Sequence, residues 1–165
     1  MRKLLLASTV LVPLLTPALS LAAGLVRAPD EACAYLAEDG LGGTGDYREY
    51  RPGKYYCWSL RKEIAAGDPQ RQSVRYTAEG TEEAVSSLTL ELQVPSRSEV
   101  QRGHMLFLEY ARALVTKALA TEMPEEIGKA VLAARPGRWP LAGAEVVIEK
   151  RQVKGEGYEL ALRIE

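Results

Sequence analysis

The sequence is poor in the side chains on which enzyme chemistry most often rests, with one histidine and two cysteines among 165 residues. One imidazole and two thiols cannot by themselves complete a four-ligand structural zinc site, and the cysteine spacing fits neither a C-x-x-C redox pair nor a zinc pattern. No G-x-S-x-G, H-E-x-x-H or phosphate-loop motif occurs, and the D-x-[DN]-x-[DN]-G order of a calcium loop is missing. Charge of one sign is lacking too, since 21 Lys and Arg stand against 22 Asp and Glu. Such a balance offers no broad basic surface to nucleic acid and no strong field toward acidic substrates. Neither a cofactor nor a metal is expected. The chain is 47% hydrophobic and 26% charged, which excludes wholesale disorder. Internal repeats and low-complexity stretches are absent from residue 23 onward.

Long hydrophobic runs are equally scarce, with one exception. Met1, Arg2 and Lys3 give a positive start, and Leu4 to Leu19 carries no charge. Ser20 and Ala22 then occupy the −3 and −1 positions of a cut after Ala22, the pattern of a secretory signal peptide. Ala18 and Ser20 allow a second cut after Ser20. A spanning helix is the competing reading, but Pro13 and Pro17 interrupt the run and it falls short of the length a bilayer needs. The expected organisation is therefore a signal peptide over 1–22 and one domain over 23–165. Removing residues 1–22, with two cations and no acids, leaves 143 residues and a side-chain charge of about −3. An exported protein, bacterial periplasmic or extracellular, is the result, with no membrane span in the mature chain. In an oxidising compartment the two cysteines, Cys33 and Cys57, are expected to pair, stabilising the fold by about 3 kcal/mol through loop closure.

Periodicity supplies the elements. Pro29 to Glu38 reads as a short helix, opened by proline and acids and closed by Gly40. Gly40, Gly42 and Gly45 spell G-x-G-x-x-G, but a helix precedes the motif and a strand follows. That order is the reverse of a dinucleotide site, so a flexible connector is expected. Lys54 to Leu60 alternates Tyr56, Trp58 and Leu60 against Tyr55, Cys57 and Ser59, suiting a strand with one buried face. Further strands are expected over Gln72 to Glu79 and Val85 to Val94, with turns at Gly67 to Pro69 and Gly80 to Glu83. Ser96 and Glu99 form a capping box for a helix from about Arg97 to Thr121, and Pro124 with Glu125 and Glu126 restarts a helix to Ala134. Ala144 to Val153 and Gly157 to Ile164 flank Lys154-Gly155-Glu156 as a hairpin. The predicted fold is a two-layer α+β sandwich in the order α-βββ-αα-ββ. A mostly antiparallel sheet of about five strands carries its helices on one face.

His104 falls on the apolar seam of the long helix, where a packed, hydrogen-bonded residue is expected rather than a catalyst, because a general base needs an orienting partner. Glu145, Glu149, Arg151, Glu159, Arg163 and Glu165 read as a solvated surface of cross-strand ion pairs. The one concentration of interest is Asp46 to Trp58, which holds four of the eight tyrosines. Tyr47, Arg48, Tyr50, Arg51 and Tyr55 are the candidate binding residues there, since Tyr, Trp and Arg bury large areas while keeping a polar handle. The competing reading makes Tyr56 and Trp58 core, Tyr55 a cover over the sheet, and Tyr47 and Tyr50 packing beneath the loop. Two functions follow: an exported, non-enzymatic binding protein (an inhibitor, an immunity-type partner or an envelope accessory) holding a protein or peptide, or a small envelope-acting hydrolase with an unrecognised site.

Overall fold

The computed structural model describes residues 25–65, 71–96, 100–153 and 155–165. The proposed signal peptide, the Gly67 to Pro69 turn, the start of the long helix at 97–99 with its capping Glu99, and Lys154 lie outside these residues. In chain order the elements are α1 (Pro29–Ala34), β1 (Arg48–Arg51), β2 (Lys54–Trp58), β3 (Lys62–Ala65), β4 (Gln72–Gly80) and β5 (Val85–Val94). They continue as α2 (Val100–Leu119), α3 (Glu125–Leu132), β6 (Gly137–Leu141), β7 (Ala144–Gln152) and β8 (Tyr158–Ile164). The strands form one sheet in the order β1-β2-β4-β5-β8-β7-β6, with β3 also paired to β4, and every pairing is antiparallel.

This overturns the expected two-layer sandwich of about five strands. Among the described residues eight antiparallel strands dominate, five between α1 and α2 and three after α3, where three and two were expected. The helices are the smaller part, with 6, 20 and 8 residues. The five anticipated strands correspond to β2, β4, β5, β7 and β8; the three that escaped are β1, β3 and β6. Each is short, at four or five residues, which leaves too little pattern to mark a strand. All four residues of β1 are exposed, β3 has four residues, and β6 contains Gly137 and Pro140, both poor strand formers. Proline is tolerated in β6 because that strand is an edge, where a missing N–H costs no ladder bond.

The core forms where alternation is strictest. Val74, Tyr76 and Ala78 of β4, Leu88, Leu90, Leu92 and Val94 of β5, and Leu160, Leu162 and Ile164 of β8 are fully buried on one face. Phe107, Ala111, Leu114, Val115 and Ala118 recur at helical spacing on α2 and join the same core. Gly103 brings the helix close to the start of β4, since a Cβ there would lie 1.6 Å from Gln72 Oε1.

Two devices fix the periphery. Arg27 donates through Nε to the Ala118 carbonyl at 3.0 Å, and through its Nη2 to the same oxygen, placing a cation at the negative end of α2. Its backbone bridges Val85 in both directions. At the other side, Cys33 and Cys57 form a disulfide between α1 and β2. Tyr76 reinforces it by donating its hydroxyl to the Ala32 carbonyl at 2.7 Å. Among the described residues no helix is long and apolar enough to cross a membrane.

Candidate functional site

The aromatic segment folds as a hairpin because Pro52 and Gly53 separate β1 from β2. Proline presets the turn, Gly53 takes a φ of +70°, and the Glu49 carboxylate accepts the Gly53 N–H at 2.8 Å. Register then decides which side chains share a face. Cys57 lies opposite Ala78 and is turned to the core by its disulfide. Successive residues of a strand alternate, so Tyr56 and Trp58 are sent to the outer face of the sheet, opposite Glu79 and Thr77. The disulfide thus sets the phase of β2. Both rings are half-buried there, outside the core. Ser59, buried at the strand's end, keeps the ladder intact: its N–H reaches the Tyr76 carbonyl at 2.9 Å, and its Oγ accepts the Tyr76 N–H at 3.0 Å.

On that outer face the side chains build a continuous ladder. The Arg48 guanidinium lies 4.8 Å from the centre of the Trp58 ring. Trp58 stacks on Tyr56 with centroids 4.5 Å apart, and Tyr50 meets Tyr56 edge-on at 4.5 Å. Arg51 closes the far end, 5.7 Å from the Tyr50 ring. Offset or edge-on aromatic pairs and cation–π contacts are each favourable, and Tyr50 nonetheless stays 42% exposed. Beside the ladder, Tyr56, Trp58, Arg75, Thr77 and Glu79 line a hollow of about 240 Å³. Arg75 Nε, buried among these groups, has no hydrogen-bond partner.

Of the five residues singled out by sequence, Arg48, Tyr50 and Arg51 come together on this face. Tyr47 and Tyr55 do not. They stack on each other at 5.8 Å, and the Tyr47 hydroxyl reaches the Ala84 carbonyl at 3.5 Å. Tyr56, Trp58 and Arg75 complete the patch. The first two stand inside the segment already singled out. Arg75 is a partner that only the β2–β4 register reveals, and its sole sequence signal is its place on the polar row of β4. The glycine loop that precedes the hairpin lies over the disulfide: Gly43 donates to the Cys33 carbonyl at 3.1 Å, and a Cβ there would touch both cysteine side chains.

A second cluster surrounds His104. Nδ1 faces the Leu132 carbonyl at 2.8 Å, which can only accept, so Nδ1 carries the proton. Nε2 accepts from the Tyr158 hydroxyl at 2.5 Å. Burial pushes this imidazole below the ordinary histidine range, and the Lys150 charge adds to the effect while the Leu132 bond opposes it. Val100, Ala133, Ala134, Lys150 and Gln152 complete the wall of a cavity of about 430 Å³. Among the described residues no cluster of His, Cys, Asp and Glu could hold a metal ion.

Residues 22–154 match the family model DUF6030, described as a family of unknown function. No curated protein and no solved structure matches the chain.

Proposed function

We propose that this chain, which belongs to the DUF6030 family of unknown function, is an exported, non-enzymatic interaction protein that holds a protein or peptide partner on the outer face of the β1–β2 hairpin. The observation that carries the reading is the ladder of Arg48, Trp58, Tyr56, Tyr50 and Arg51, whose side chains are exposed or half-buried on the outer face of the sheet. Tyr, Trp and Arg dominate the energy of protein interfaces, and here a disulfide and a tight turn hold them in advance, which lowers the entropy cost of binding. The disulfide and the apolar run ahead of residue 23 support the export part of the reading. Affinity capture from an envelope extract tests it, using the intact mature protein beside a Tyr50→Ala, Arg51→Ala variant. Partners recovered by the first and lost by the second are expected, followed by direct binding of the purified components. Equal recovery, or none, removes the reading.

A small hydrolase acting on the envelope is the second reading, favoured by one observation: His104 sits oriented at a cavity wall, its Nε2 hydrogen-bonded to a hydroxyl. Against it, both ring nitrogens are already engaged, and their partners are a backbone carbonyl and a tyrosine rather than a carboxylate and a serine. Turnover of a generic ester or glycan substrate that survives in His104→Gln would exclude this site.

A further inference from the structure

The outer face of the sheet divides sharply in how its cations are satisfied. Toward β8, β7 and β6 every arginine meets a carboxylate: Arg151 bonds Glu159, Arg163 bonds Glu149 at 2.8 Å, and Arg138 bonds Glu145 at 2.6 Å. Arg61 and Arg75, in the middle, share Glu91. At the hairpin the pattern stops. Among the described residues no carboxylate lies within ion-pair distance of Arg48, Arg51 or Lys54. Glu49, the nearest acid in sequence, spends one oxygen on the Gly53 N–H.

Rings stand where carboxylates stand elsewhere on this face. Beyond its ring contact, neither the Arg48 nor the Arg51 guanidinium makes a hydrogen bond or ion pair among the described residues, so their N–H donors remain available. We infer that Arg48 and Arg51 are two preset forks for the carboxylates of an acidic peptide segment, which lies along the hairpin with Tyr50, Tyr56 and Trp58 between them. Charge complementarity selects this occupant: three cations without an ion-pair partner border the patch against one carboxylate, Glu79, in the hollow beside it, and a guanidinium fork with its donors unspent matches a carboxylate in two parallel hydrogen bonds. The inference rests on the interaction reading above and names its partner's chemistry.

The test uses the mature, oxidised protein and a capped hexaglutamate peptide, with capped hexaglutamine as control, titrated by calorimetry and by tryptophan emission. The expected result is binding of hexaglutamate alone, weakened as salt rises. The Arg48→Lys, Arg51→Lys variant, which keeps the charge and loses the forks, should bind roughly tenfold more weakly. A variant that loses two exposed cations elsewhere, Arg71→Gln, Lys129→Gln, should bind as the parent does, which separates the hairpin from net charge. Equal binding by the double-lysine variant overturns the forks, and a loss in the Arg71, Lys129 variant overturns the location. If hexaglutamate does not bind while a captured partner still depends on Tyr50 and Arg51, the acidic-segment inference falls and the interaction reading stands. Failure of both ends both. Circular dichroism on each variant confirms that the fold persists.

Discussion

At the residue scale the fold carries local costs that substitution can relieve. Ala142 and Gly143 form the two-residue turn between β6 and β7 with φ of +50° and +84°, the left-handed pair that such a turn demands. Glycine suits that conformation and alanine does not. Ala142→Asn should therefore raise stability by about 0.5–1 kcal/mol, read as a higher denaturant midpoint with unchanged slope. His104 gives a pH dependence whose direction follows from its lowered proton affinity. Between the folded value and the ordinary value near about 6.5 the unfolded chain binds more protons, so stability is complete above that range and falls as pH drops through it. Chemical denaturation from pH 8 to pH 5 should show the loss, and His104→Gln should flatten it; parallel profiles would show that His104 carries no linkage. The seam position of His104 was legible from the spacing of α2. Its partners, Leu132 and Tyr158, were not, because nothing in the sequence says that the end of α3 and the start of β8 meet there.

Elements were legible in proportion to how one-sidedly they are buried. β5 was found with its full bounds because Leu88, Leu90, Leu92 and Val94 alternate with polar residues, and β4, β8 and α2 follow the same logic. β1 carries no such signal, since Arg-Glu-Tyr-Arg is exposed throughout, and β3 and β6 are too short or too broken by Gly and Pro. Facing was harder still. The alternation of β2 names two rows but not the buried one, and hydrophobicity points to Tyr56 and Trp58. The disulfide decides otherwise, because Cys57 must reach Cys33 on α1. Cys33→Ser, Cys57→Ser should cost about 3 kcal/mol by loop-closure entropy and should also disturb the aromatic ladder, seen as changed near-ultraviolet dichroism from Trp58. A second element-level constraint sits at the β4–β5 turn. A Cβ on Gly80 would lie 2.0 Å from the Ala84 carbonyl oxygen, a backbone atom fixed by the ladder and by its bond to Thr81 N. Gly80→Ala should destabilise by about 1–3 kcal/mol, the range for forcing extra volume into a packed site. An unchanged midpoint would show that the turn yields freely.

For the whole molecule, the decisive fact is that among the described residues the core helix α2 packs on the inner face of one long sheet, while the outer face is lined by polar and aromatic side chains. On that outer face they sort by chemistry: an aromatic–arginine end at β1 and β2, and a lattice of arginine and glutamate from β4 to β6. Glu159 is the centre of that lattice, bonded to Arg151 and 3.7 Å from Arg61. Burial raises its carboxyl, but hydrogen bonding and attraction from Arg151 and the charge of Arg61 outweigh this and hold it below the ordinary glutamate range. A carboxyl so lowered contributes stability that is complete above the unfolded value near about 4.3 and is lost as pH falls through the folded value. Glu159→Gln should therefore cost at most about 1 kcal/mol near pH 7, as befits a pair at a solvated surface, and should leave a shallower loss below pH 4 than the parent shows. Because the hairpin ladder contains no carboxylate, the same acidification should leave its stacking intact while the lattice weakens. Near-ultraviolet dichroism followed beside global unfolding from pH 5 to pH 3 would separate the two; simultaneous loss would mean that the ladder and the lattice act as one unit and that the division of the face is geometric only.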